Sequence, residues 1–202
     1  MRRSDSSVPI ELPWRLRLFP GPAALPLPVY RDFVDMLFSM WVPIFGLGVV
    51  FVGISILVGR ELGSTFLLVL AGFGAITTLL RLATLRAYFR ARPECDFNGL
   101  QRWERRYAFG NYVSAVLLAL LNVTVLSAHY PLLHLLTVSL VFGFGAGIVA
   151  RTSVRPKICV TSLLLATVPT IVALALHATG AHAGPLHSEL FLVEAFIVAA
   201  IT

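Results

Sequence analysis

Charge is scarce in this chain. Only 13% of the residues are Asp, Glu, Lys or Arg, where a soluble domain carries about 25%. With 57% hydrophobic residues and a mean hydropathy of +0.85, the composition excludes an ordinary soluble domain and assigns the chain to the membrane class. Cysteine is limited to Cys95 and Cys159, too few for a disulfide scaffold or a zinc-cysteine cluster. The few acids mostly lie in polar segments: Asp5, Glu11, Asp32, Asp35, Glu94, Asp96 and Glu104. GxSxG, HExxH, Walker and CxxC patterns do not occur, so residues 1–202 hold no recognisable catalytic site. A cleavable signal peptide is also missing, because Pro9, Pro13, Pro20, Pro22, Pro26 and Pro28 interrupt the basic N-terminal region.

What the chain does contain is long apolar runs. Met36 to Val58 is one, and Leu62–Leu80, Tyr107–Ala128, Pro131–Ala150 and Ile158–Leu176 follow. Each is long enough to span a bilayer as a helix. The runs are continuous, not alternating, which favours helices over a barrel. A sixth run, beginning near Glu189, is short. From Leu190 to Thr202 a helix rises roughly 20 Å, against a hydrocarbon core of about 30 Å. The expectation is an all-α polytopic bundle of six transmembrane helices, the sixth truncated. Residues 1–35 form an N-terminal segment and 36–202 the transmembrane domain.

All but Arg60 of the 16 cations flank the runs on what alternation makes a single side. The positive-inside rule makes that side cytoplasmic, with both termini there and the cysteines reduced. The loops on the other side are short, so a cue must be read within the bilayer, at its outer surface or by a partner. Arg81 to Arg106 interleaves arginines with aromatics. It reads as a topology-setting loop, or as an interfacial helix pair divided by Pro93. Arg105, Arg106, Arg151 and Arg155 are candidate anchors at this face. Basic residues beside spans, without an accompanying motif, argue against nucleic-acid binding.

Small residues mark candidate packing sites. Gly143 and Gly147 form a GxxxG pair, suited to close packing within the bundle or to a homodimer interface. Gly46 with Gly48, and Gly72 with Gly74, are weaker versions. Pro43 and Pro169 lie inside runs and are expected to bend them.

Polar residues near the outer ends are candidates for sensing. Asn122, His134 and Glu194 each lie roughly 5–9 Å below the outer boundary, and Thr170 lies at comparable depth. An ionisable group in a span usually has a partner, so these three are expected to share a polar site for a small ligand, a metal or a proton. His129, His177, His182 and His187 lie in or near the outer loops and form a weaker candidate set for metal or haem. Their five-residue steps do not repeat on one helix face.

Three stretches carry a family resemblance. QRWERRYAFGNYVSAVLLAL opens the third run, HLLTVSLVFGFGAGIVARTSVRPKI closes the fourth, and LLLATVPTIVAL continues the fifth. With Trp103, Glu104, Arg105, Arg106, Tyr107, Gly145, Ala146, Gly147, Arg151, Arg155 and Pro156, residues 80–202 resemble the N-terminal membrane region of bacterial GGDEF proteins. These are the diguanylate cyclases, some with an added EAL domain. The resemblance implies a sensory and dimerisation domain in the bacterial cytoplasmic membrane, followed in the same parent chain by a cytosolic GGDEF domain. That domain would use GTP and Mg²⁺ to make cyclic di-GMP. No GGDEF or EAL sequence is present in residues 1–202, so no cofactor is assigned to this segment. A small transporter component and a ligand-free anchoring module are the alternatives. A transporter would need a polar path, whereas the inner halves of the spans read as almost wholly apolar.

Overall fold

The computed structural model describes residues 26–39, 41–91, 97–126, 131–152 and 155–179. Six helices make up the described chain: α1 Leu27–Ser39, α2 Trp41–Glu61, α3 Thr65–Ala91, α4 Phe97–Leu126, α5 Pro131–Thr152 and α6 Pro156–Thr179. Strands are absent among the described residues. Five helical stretches are long and apolar enough to cross a membrane: 27–61 (which takes in α1 and α2), 65–91, 97–126, 132–150 and 156–175. The sixth expected span lies outside the described residues.

The helices outrun the apolar runs that announce them. α3 continues to Ala91, past the arginines that close its apolar run, and α4 begins at Phe97. Residues 81–91 and 97–106 are therefore extensions of two long helices, not a separate interfacial pair; Pro93 lies outside the described residues. The backbone of a helix satisfies itself wherever a residue of good propensity follows, so a charge ends the apolar run and not the helix. The boundary expected at residue 35 likewise falls inside α1. This helix buries Tyr30, Val34, Leu37 and Phe38, an i, i+4, i+7, i+8 stripe.

α2 packs mainly on α3, and α4 mainly on α6. The first pair is joined by a tight turn. Ser64 N–H donates to Gly59 O at 2.9 Å and Gly63 N–H to Arg60 O at 3.3 Å. This caps α2 with Gly63 at φ +60°, where a side chain would be strained. Two glycines then let α2 and α3 cross closely. A Cβ on Gly48 would overlap the Thr78 side chain, and one on Gly74 the ring of Phe51. Gly143 differs: it is exposed, with open space where a Cβ would be. Gly147 is half-buried.

The α4–α6 pair is lined by small side chains. Ser162, Ala166 and Thr170 on α6 are fully buried at four-residue spacing, and Ala108, Asn111, Ala115, Ala119 and Asn122 are buried on α4. Such stripes allow backbones to approach, and van der Waals contact then holds them where lipid offers no hydrophobic drive. Pro43 sits in the first turn of α2, where a proline removes no needed hydrogen bond. Pro169 lies inside α6, which runs on past it.

Candidate functional site

The most unusual side chain is Arg81. It sits within α3 and is only 9% exposed. A charge at the centre of a membrane helix costs about 2.5–3.5 kcal/mol, so its surroundings must compensate. Its guanidinium donates to Ser114 Oγ at 2.9 Å and to Asn111 Oδ1 at 3.2 Å. Asn111 passes the connection on: its Nδ2 donates to Ser162 Oγ at 2.8 Å. Three helices, α3, α4 and α6, are thus joined by one polar chain. Gly110 makes room for it, since a Cβ there would lie 3.1 Å from Arg81 Cγ.

Beside this chain is a cavity of about 30 Å³ between α2, α3, α4 and α5, lined in part by Gly48, Thr77, Thr78, Arg81 and Ser114. It has room for one or two waters. The hydroxyl protons of Thr78 and Ser114 are already committed, to Gly74 O at 2.8 Å and Gly110 O at 3.0 Å. Their lone pairs suit water better than an anion, and the guanidinium disfavours a cation.

Closer to the arginine-rich end is an aromatic and ionic knot. Phe38 of α1 stacks on Tyr88 of α3 at 4.1 Å between ring centroids. Trp103 and Tyr107 of α4 meet Phe38 edge-on at 6.3 and 5.5 Å. The Tyr88 hydroxyl donates to Asp35, which also lies 3.9 Å from Arg31. The Tyr30 hydroxyl donates to Glu104. Arg155, just before α6, completes the knot: its Nε is 3.1 Å from Glu104 Oε1 and its guanidinium lies over the Tyr30 ring at 4.8 Å. The Arg155–Glu104 pair is largely buried, with side chains 12% and 14% exposed.

Of the anticipated inner-face residues, Arg155 is therefore a cross-link between elements. Arg105 and Arg106 are exposed, and Arg106 lies over the Trp103 ring at 4.8 Å. Arg151 falls in the last turn of α5, but its side chain is outside the described residues.

The other end of the bundle holds the anticipated sensing residues. Asn122 and His134 both face the interior, 0% and 2% exposed, alongside buried Ser55, Thr137 and Thr170. Asn122 Nδ2 donates to Leu118 O at 2.9 Å, within its own helix. Asn122 Oδ1 and Ser55 Oγ are buried without a hydrogen-bond partner among the described residues. Glu194 lies outside the described residues, so the three-residue site is not assembled within them. His129, His182 and His187 also lie outside; His177 is in α6, with its side chain not described. Among the described residues no three metal-ligating side chains cluster. Cys159 is buried as a free thiol, and Cys95 lies outside the described residues.

Arg81, Asn111, Ser114, Ser162, Tyr30 and Asp35 are absent from the sequence-derived site set. Asn111 and Ser114 were within reach, because an i, i+3 polar pair inside an apolar run marks one helix face. Their presence, with Arg81 and Ser162, also corrects the expectation of nearly apolar inner halves. No protein-family model matches the chain, and no curated protein or solved structure matches it either.

Proposed function

We propose that residues 1–202 form a membrane-embedded regulatory and dimerisation module, with its arginine-rich end in the bacterial cytoplasm, that controls a diguanylate cyclase domain in the same parent chain. The observation that carries the regulatory part is the knot at the arginine-rich end. Glu104 holds α1 through Tyr30 and the start of α6 through Arg155. A shift of α6 along its neighbours therefore has to break or carry that knot. Packed helices move between discrete arrangements, and a ligand drives such a change only by preferring one of them. The buried polar residues at the far end, Asn122 and His134, are the candidate input. The cyclase itself rests on the resemblance alone, of which Glu104 and Arg155 are two carriers.

The test has two arms. The reading frame after Thr202 is expected to encode a GGDEF domain; a different domain or an immediate stop removes the cyclase. In cells expressing the parent protein, Glu104→Gln is expected to change cyclic di-GMP several-fold at unchanged membrane abundance. Unaltered output would remove the knot from the mechanism.

A small transporter component is a second reading, favoured by one observation. Buried polar side chains occur in both halves of the bundle, Arg81, Asn111 and Ser162 in one, Ser55, Asn122, His134, Thr137 and Thr170 in the other. Solute flux into proteoliposomes that is abolished by Asn111→Ala would replace the first reading with this one.

A further inference from the structure

Between α3 and α4, on the outer surface of the bundle, runs a groove of about 460 Å³. Its arginine-rich end carries Arg105 and Arg106, its wall includes Arg81, and its apolar length is formed by Leu80, Phe109 and Val113. Leu80 and Phe109 are among the most exposed large apolar side chains of the described residues, at 63% and 70%.

The vertical register of these groups suits one kind of molecule. Counting about 30 Å of helix back along α4 from Leu126 reaches Arg106. The same count along α3 from Thr65 reaches Leu85, so Arg81 lies about 6 Å inside the hydrocarbon. Arg105 and Arg106 are then level with lipid headgroups, with Arg106 steadied over Trp103 at the depth where indole rings settle. Arg81, held inward by Asn111 and Ser114, adds positive potential beneath them. Below it the groove is apolar and open to the side.

We propose that the α3–α4 groove binds an anionic phospholipid, its phosphate on Arg105 and Arg106 and an acyl chain along Leu80, Phe109 and Val113. Basic pockets between membrane helices at the headgroup level recognise acidic lipids in this way. A soluble phosphate ester would match the arginines but leave the apolar length empty. A neutral phospholipid would fill the length but leave the cations without a net charge to meet.

Native mass spectrometry of the intact chain, released from mild detergent with added phosphatidylglycerol or phosphatidylcholine, tests this. Wild-type protein is expected to hold phosphatidylglycerol at least tenfold more tightly than phosphatidylcholine. Arg105→Gln with Arg106→Gln is expected to abolish that preference. Arg86→Gln with Arg90→Gln removes the same charge from exposed positions of α3 outside the groove and is expected to stay within twofold of wild type. Val113→Trp fills the apolar length without touching charge and is expected to weaken phosphatidylglycerol binding as well. Equal retention of the two lipids by wild type overturns the proposal, as does an equal loss in the Arg86/Arg90 variant. Displacement of the lipid by millimolar glycerol 3-phosphate overturns it in favour of a free-anion site. A dimer mass that Val113→Trp eliminates overturns it in favour of a second copy of the chain.

Discussion

Asn111 and Asn122 make an instructive pair. They sit on the same helix, eleven residues apart, which is about three turns and a residual of about 20°. Both therefore lie on one face of α4, and both are fully buried. Their partners differ. Asn111 accepts from Arg81 on α3 and donates to Ser162 on α6. Among the described residues, Asn122 bonds only back to Leu118 of its own helix, and its carbonyl oxygen has no partner. The same contrast extends to the surrounding regions. Toward the arginines, side chains bond across helices, through Arg81, Tyr88, Glu104 and Arg155. At the far end, Thr137 and Thr170 turn their hydroxyls to their own backbones. Among the described residues, the first half is cross-linked, with only Arg155 Nη2 buried there without a partner, while in the other Asn122 Oδ1 and Ser55 Oγ are unmatched. The cross-helix bonds hold the helices in register at the arginine-rich end.

Substitutions break the contrast in a ranked order. Asn111→Ala should have the largest effect, destabilising the protein by about 3 kcal/mol, because it removes a hydrogen bond to a buried charge and severs the α4–α6 link. Unfolding in a denaturing detergent series would measure it. Gly74→Ala should cost about 2 kcal/mol in the same assay, because the new methyl meets Phe51 at the α2–α3 crossing; Gly143→Ala, in open space, should not exceed about 0.5 kcal/mol. Asn122→Leu should have a far smaller effect on stability than Asn111→Ala, within about 1 kcal/mol and of either sign, since it exchanges a half-satisfied amide for an apolar group of similar size. If Asn122→Leu proved as damaging as Asn111→Ala, the far half would be as tightly knitted as the near one.

Much of the architecture was legible from residue type and run length. The helical class and five of the apolar stretches follow from composition, and the arginines of α1, α3 and α4 gather with Arg155, just before α6, toward one end of the bundle. The role of Arg81 was not legible. By hydropathy it closes an apolar run, so it reads as the first cation of a loop. In the fold it is a mid-helix residue turned inward over Gly110. Glycine spacing alone did not locate the α2–α3 crossing, for a related reason. Gly48 and Gly74 have weaker sequence patterns than Gly143 with Gly147, yet a Cβ at either would overlap a side chain of the facing helix, whereas one at Gly143 would meet open space, because a glycine matters where a neighbour's side chain arrives. Glu104 and Arg155 are 51 residues apart in the chain, and nothing local announces their pairing.

The free energy of moving a side chain from water into hydrocarbon depends on the side chain and its neighbours in the run. Residue order therefore sufficed to predict five helices long and apolar enough to cross a membrane, and the uneven distribution of cations. The rotation of each helix about its axis depends on which other helix it meets. That in turn depends on small residues of α4 fitting against Ser162, Ala166 and Thr170 of α6, an element not adjacent in the chain. Whether a buried asparagine becomes a cross-link or keeps a spare carbonyl was settled there, by packing between distant segments.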